Sequence, residues 1–370
     1  TAQQGVVLEA NKLVPVMPAA DGQPIGAPGS LALDPVDRKT VIVGETVQDF
    51  SAGAPANGFT YAGIIRRLDL EKRTLTIIAG RGHLATFGGD GAAAVTAKLR
   101  VPTGIEFDAD NNLYIGDRVN GRLRRVDASS GVIESVFADE TRPSWASNAA
   151  IAGTRAPAYV ATDAAGNVYY VEWRGNRVMR WNKASKAVEV FAGTGTSGFA
   201  GDGGPATAAQ LAAPLGLAVD SAGNVYVAAS GRIRRITPTG TISTIAGIGP
   251  VSSNATATPP LGDGGPATAA YLLPHELAAR GTKLYFTDEA SNTIRVIDLA
   301  TGIVTRIAGN GVAGLVSDSG AATATPLGQI WGLAVDRGGS VFFAEANTNR
   351  VMRVDGTTGA ISRAIGGQRG

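Results

Sequence analysis

Gly201-Asp-Gly-Gly-Pro-Ala-Thr-Ala-Ala-Gln-Leu211, followed by Pro214-Leu-Gly-Leu-Ala-Val-Asp220 and Asn224-Val-Tyr-Val227, is the stretch from which the fold can be read. A Gly-rich turn precedes a short apolar strand that ends on Asp220. A Gly-Asn turn then precedes a β-branched and aromatic run, the signature of a tight hairpin. The Gly-rich turn recurs at Gly262–Ala270 and, degraded, at Gly89–Leu99 and Ser317–Ala324.

The other pieces recur in the same order. The apolar strand returns as Ser30–Asp34, Gly104–Asp108, Tyr159–Asp163 and Gly332–Asp336, with Leu277–Arg280 in the fifth copy. The second run returns at Val41–Val43, Leu113–Ile115, Val168–Val171, Leu284–Phe286 and Val341–Phe343. An alternating, mostly Arg-rich strand follows each: Ile64–Leu68, Arg122–Val126, Arg177–Trp181, Arg232–Ile236, Thr293–Ile297 and Arg350–Val354. A last run ends at Gly80, Asp139, Gly193, Gly247, Gly309 and Gly366, positions 54 to 62 residues apart.

No stretch has the length and 3.6-residue period of a substantial helix. A lone four-stranded sheet cannot cover both of its faces, whereas copies stacked about an axis cover one another. The repeats therefore predict an all-β chain, a six-bladed β-propeller of four-stranded antiparallel blades. A β-sandwich would not repeat at a fixed period. Residues 28–370 are expected to form the propeller, with 1–27 as a ring-closing strand and linker of the same domain. Within that segment Gly5–Met17 is expected to pair with the last blade, and Thr46–Gly63 reads as an insertion in the first.

These motifs resemble NHL-repeat β-propellers over about residues 28–367. The resemblance implies the fold and says little about function. NHL propellers include protein- and RNA-binding modules, extracellular adhesion domains and an amidating lyase; related six-bladed folds include lactonases and strictosidine-synthase-like enzymes. In such propellers one face carries the connection into each innermost strand and the turn between the second and third strands. The first set reads here as Gly29, Thr103, Ala158, Leu215, His275 and Trp331. The second reads as Glu45, Asp117-Arg118, Glu172-Trp173-Arg174, Ala229-Ser230, Asp288-Glu289 and Glu345, with His83 in a linker on the same side.

The same comparison removes chemistry. The lactonases' metal ligands fall on positions held here by Gly29, Ala158 and Leu215, which cannot ligate. The amidating lyase's zinc needs three His, and this chain has only His83 and His275. No metal and no cofactor are expected.

Among the candidates, His275 beside Glu276 has the chemistry of a general acid–base, with Glu172 or Asp117 as its partner. Its alternative is a ring packed at the axis and bonded to backbone. Trp331 and Trp173, from blades that face each other, offer flat platforms for a sugar or aromatic ligand; the alternative is packing against neighbouring blades. The carboxylates Glu45, Asp117, Glu172, Asp288 and Glu345 would make the mouth acidic, or would fix turns by accepting backbone N–H groups. Asp117 and Glu172 stand apart because Arg118 and Trp173-Arg174 follow them.

The repeated Arg residues, Arg122, Arg177, Arg232 and Arg350 with a second Arg in each strand, suit an RNA-binding face. Against that, they recur in the third strand, where pairing between blades is the simpler use, and an acidic mouth opposes phosphate. Lys+Arg 33 against Asp+Glu 31 leaves only +2. No nucleic-acid partner is expected. The Gly-Asp-Gly loops read as linkers, with Pro205 and Pro266 in the first turn of short helices.

Composition sets outer limits. With 44% hydrophobic and 17% charged residues, charge-driven disorder is excluded. The absence of Cys excludes disulfides, thiolate metal sites and Cys nucleophiles. No apolar run approaches the ~18–20 residues of a membrane span, so no membrane insertion is expected. Thr1–Gly5 carry no hydrophobic leader region. Abundant Ala, Gly and Thr without Cys suggest a bacterial exported protein, secreted or periplasmic. The expectation is thus a propeller that binds a small polar or aromatic ligand, a glycan or a protein partner at an axial, acidic, Trp-flanked face. The alternative is a metal-independent lyase, hydrolase or isomerase-type enzyme on that face.

Overall fold

The computed structural model describes residues 6–9, 12–15, 26–34, 39–49, 60–72, 74–81, 87–138, 156–249 and 261–366. Local chemistry sets each hairpin. Asp220 Oδ1 accepts the N–H groups of Ala222 and Asn224 at 3.0 and 2.8 Å, and the Tyr226 hydroxyl donates to Oδ2 at 2.9 Å. Asp108 and Asp163 tie their turns to Tyr114 and Tyr169 in the same way. A short Asp side chain that bonds its own following backbone fixes the turn before any distant contact forms.

In the fourth blade, Pro214–Val219, Val225–Ala229, Arg232–Ile236 and Ile242–Ala246 pair antiparallel in sequence order. Six sheets of this kind form, each with four strands. The innermost strands, from Ala27–Leu33 through Pro102–Phe107, Ala158–Thr162, Pro214–Val219 and Pro274–Arg280 to Ile330–Val335, touch in succession, and the last touches the first. The core is therefore divided into slabs between neighbouring blades. Val171, Val178 and Ala192 of the third meet Leu217, Val225 and Val227 of the fourth, all buried.

The third strands carry buried arginines. Arg295 donates to Asp263 (3.0 Å), Asp288 (3.1 Å) and the carbonyls of Tyr271 (3.0 Å) and Leu261 (2.7 Å). It thereby ties the Asp-Gly-Gly linker to the end of the second strand. Arg124 reaches Asp90 at 2.6 Å and Arg234 reaches Asp202 at 2.5 Å, while Arg66 reaches Glu45 at 3.0 Å. Blades three and six carry Met179 and Met352 at this register, and in blade six Arg350 substitutes from two residues earlier, 3.1 Å from Asp318. Arg122 and Arg232 lie on the rings of Phe87 and Phe199 at 3.8 and 4.3 Å. Arg66, Arg124, Arg234, Arg295 and Arg350 are thus engaged with carboxylates of linkers and second strands.

Two expectations are corrected and a third gains detail. Val6–Glu9 pairs with Lys12–Pro15 in a separate two-stranded sheet, and blade six takes its four strands from Ile330–Val335 onward, so the N-terminal segment is not a strand of that blade. Packing of complete sheets closes the ring. Pro205 and Pro266 precede three-residue 3₁₀ turns, in extended conformation at φ −62° and −60°, instead of sitting within helices. The insertion in blade one is a longer hairpin: Thr40–Asp49 pairs with Thr60–Asp69 across ten residues a side. Among the described residues no helix is long and apolar enough to cross a membrane.

The Arg295 clamp is testable. Arg295→Met leaves Asp288 buried without its cation and should lower unfolding free energy by about 3–5 kcal/mol, as for other broken buried pairs. Adding Asp288→Ala, which copies the Ala229 of blade four, should recover part of that loss. Urea denaturation measures both; a single-variant loss below about 1 kcal/mol would show that the clamp is not stabilising.

Candidate functional site: the axial cavity

In each blade the pairing of the first two strands slips next to the residue that opens the innermost strand. In blade four the register shifts between Pro214 and Leu217, and in blade five between Pro274 and Leu277. Such bulges re-aim side chains. Gly29, Thr103, Ala158, Leu215, His275 and Trp331 consequently line one cavity of ≈ 300 Å³. Trp173, Arg118, Tyr159 and Thr46, the last from the long hairpin of blade one, complete much of the wall.

Crowding at the axis explains the intervening glycines. A Cβ on Gly216 would lie 2.2 Å from the His275 carbonyl oxygen, and one on Gly104 would lie 2.6 Å from the Val160 nitrogen. Blade three has Tyr159 at this place, with φ 46°, and Val101 at the cavity has φ 52°. Left-handed backbone at bulky residues is a cost met elsewhere in the fold.

His275 Nε2 and the Tyr159 hydroxyl are hydrogen-bonded at 3.0 Å, with the rings edge-on at 84°. Glu289 Oε1 is 3.9 Å from the same nitrogen. Burial pulls the His275 pKa down to about 4, so the imidazole is neutral at physiological pH. Burial pushes Glu276 up to about 8, against one backbone N–H from Gly332, so its carboxyl is largely protonated there. Burial also raises Glu289, with Asp288 adding to the shift. Two guanidinium groups stand over the Trp173 ring, Arg118 at 5.5 Å and Arg174 at 5.1 Å. Trp331 is 38% exposed. His275 Nδ1 and Thr103 Oγ1 are buried without a hydrogen-bond partner, and polar atoms in that state call for one.

The recurring carboxylates lie elsewhere. Glu45, Asp117, Glu172, Asp288 and Glu345 are all buried and lie outside this cavity. Asp117, Asp288 and Glu45 accept the N–H groups of Arg100, Leu273 and Gly26, each at 2.8 Å, and Glu345 accepts that of Val316 at 3.4 Å. The acidic mouth is therefore corrected at these positions: the Glu45, Asp117, Asp288 and Glu345 side chains turn into the blades, where backbone N–H groups need acceptors. Even with Arg124 beside it, burial leaves Asp117 raised to about 6. The partners of Asp117 are Arg100, Asn120 and Arg124 rather than His275. His83 lies outside the described residues. Tyr159 was not anticipated; a large aromatic where three sister blades carry Gly was the available signal. Among the described residues no group of three His, Cys, Asp or Glu could hold a metal ion.

The two shifts act in opposite directions on stability. Below about pH 6.5 the unfolded chain protonates His275 while the folded chain resists until about 4, so stability falls as pH drops through that window, by up to about 3 kcal/mol. Above about 4.5 the unfolded chain releases the Glu276 proton while the folded chain keeps it to about 8, so stability falls as pH rises there. Denaturant midpoints from pH 4 to 8 should show His275→Gln flattening the acid limb and Glu276→Gln flattening the neutral limb. Glu106, raised to about 7 by burial at the opposite end of the axis, should retain part of the latter, together with Asp117 and Glu289, which burial also raises.

A family model of the Teneurin NHL domain matches residues 148–261, which include blades three and four. Human Teneurin-4 is 33% identical over 172 residues, 42% of this chain and 6% of that protein. Chicken Teneurin-1 is 26% identical over 223 residues, 56% of this chain and 8% of that protein. The chain thus spans less than a tenth of these relatives' length. Among solved structures, an auxiliary nutrient binding protein from Bacteroides thetaiotaomicron superposes with a TM-score of 0.59 at 15% identity, over 92% of this chain and 70% of that one. Repeats, blade topology and these matches agree: the chain is an NHL-repeat β-propeller of six blades.

Proposed function

We propose that this propeller is an exported binding protein that takes a small ligand with a flat ring, sugar or aromatic, in the axial cavity. The convergence of the six strand-opening residues with Trp173 on one cavity of ≈ 300 Å³ carries the reading. Two indoles supply apolar faces for a ring, while the neutral His275, Tyr159 and Thr103 supply hydrogen-bonding groups. A cavity of few polar groups among apolar walls is the usual form of a small-molecule site. The Bacteroides structure offers a named precedent for ligand binding on this fold.

One observation favours a second reading. A neutral imidazole bonded to a tyrosine at the wall of a cavity could move a proton in a metal-independent lyase or hydrolase reaction.

A thermal-shift screen of glycans and aromatic acids, with product analysis of each hit, separates the two. For a binder, hits are recovered unchanged, Trp331→Ala weakens affinity about tenfold or more, and His275→Gln weakens it about five- to thirtyfold, the range for one neutral hydrogen bond. Affinity unmoved by both Trp331→Ala and Trp173→Ala would overturn the axial site. Turnover lowered about 10²–10⁴-fold by His275→Gln with affinity kept would establish the enzyme reading instead.

A further inference from the structure

A second and larger cavity lies beside the first. It occupies ≈ 570 Å³ on the same face, between the loops of blades five and six. Its wall includes the amide-bearing Asn292, Gln329 and Asn347, the carboxylate-bearing Asp288, Glu289 and Glu345, and the apolar Leu315 and Ile330. Gln329, Asn347 and Glu289 are exposed, and Leu315 is 64% exposed.

The two cavities share a wall. Glu289 lines the cleft, and its Oε1 stands 3.9 Å from the His275 nitrogen that faces the axial cavity. Ile330 lines the cleft, and the next residue, Trp331, lines the axial cavity. By volume the axial cavity sits at the low end of the ~300–1,000 Å³ typical of ligand sites. The cleft is the larger part of the available space.

The chemistry of the cleft is specific. A side-chain amide donates and accepts within one group, which matches hydroxyls that do both. No Lys or Arg lines the cleft while the exposed Glu289 does, so an anionic chain would meet a carboxylate there and no cation. Leu315 and the adjacent Trp331 present apolar surface that suits the C–H face of a sugar ring.

We propose that the cleft between blades five and six is an extension subsite, and that the ligand is a neutral oligosaccharide. One terminal ring sits in the axial cavity and the following units lie along the amides. The proposal rests on the axial reading above and adds to it a direction and a substrate class.

Calorimetric titration with neutral linear series of one to six sugars tests it, using β-1,4-glucan, α-1,4-glucan, β-1,4-xylan and chitin oligomers. The expected result is at least one series in which affinity rises about tenfold or more from monomer to trimer. That gain should vanish in the double variant Gln329→Ala with Asn347→Ala, two exposed positions, while affinity for the monomer and the melting temperature stay unchanged. Two neutral hydrogen bonds lost correspond to about tenfold or more. Affinity independent of length, a length gain that survives the double variant, or no binding by any neutral series overturns the subsite. A length-dependent binder found only among peptides overturns the sugar class. Length-dependent binding that ignores Trp173→Ala and Trp331→Ala leaves the subsite standing and removes the axial reading, so the two fail separately.

Discussion

Two apolar faces on every sheet, and water on neither, is the condition the rest of this structure follows from. Burial of apolar area is the dominant favourable contribution to folding, and a sheet of five-residue strands cannot cover itself. Each blade therefore lies against the next, and each core slab draws on two neighbours, as Leu31, Val41 and Val43 of the first blade do with Phe342 and Ala344 of the last. Closure brings six innermost strands together at the axis. Their crowding demands Gly216 and Gly104 and leaves a mouth whose wall consists of the residues that open those strands.

Charge is mostly consumed by the scaffold. Arg66, Arg124, Arg234 and Arg295 are fully or almost fully buried, and their partners are the carboxylates of linkers and strand ends. Buried ion pairs are costly to form and costlier to break, so their value here is geometric: they hold each linker where it delivers the next innermost strand. The mouth is left with a few groups of modest polarity. Burial keeps His275 and Glu276 neutral there, and Arg118 is the charged group left in the cavity wall.

Blades three and six depart from the pattern together. Both carry Met where four sister blades carry the clamping Arg, and both bring a Trp to the cavity. They face each other across the ring, so the two platforms lie on opposite walls. The cleft beside blade six lies on this Trp331 side. Of the two departures, the one in blade six thus lies beside the cleft.

The repeat unit, the blade number, the strand order and the six strand-opening residues were all legible in the chain. The reason is that they rest on local periodicity and on turn chemistry such as that of Asp220, which acts within a few residues. Trp331, Trp173, Arg118 and His275 could be placed on one face only through the resemblance to known propellers, applied to those repeats. Other features depend on contacts between residues far apart in sequence. Whether Asp117 or Glu345 faces solvent is set by linker N–H groups that need an acceptor. The partnership of Tyr159 with His275, 116 residues away, exists only because ring closure sets the third blade near the fifth. The cleft between blades five and six has no linear signature, since its walls come from four separate loops. Periodicity specifies what a blade is; packing of one blade on another decides which side chains are left to meet a ligand.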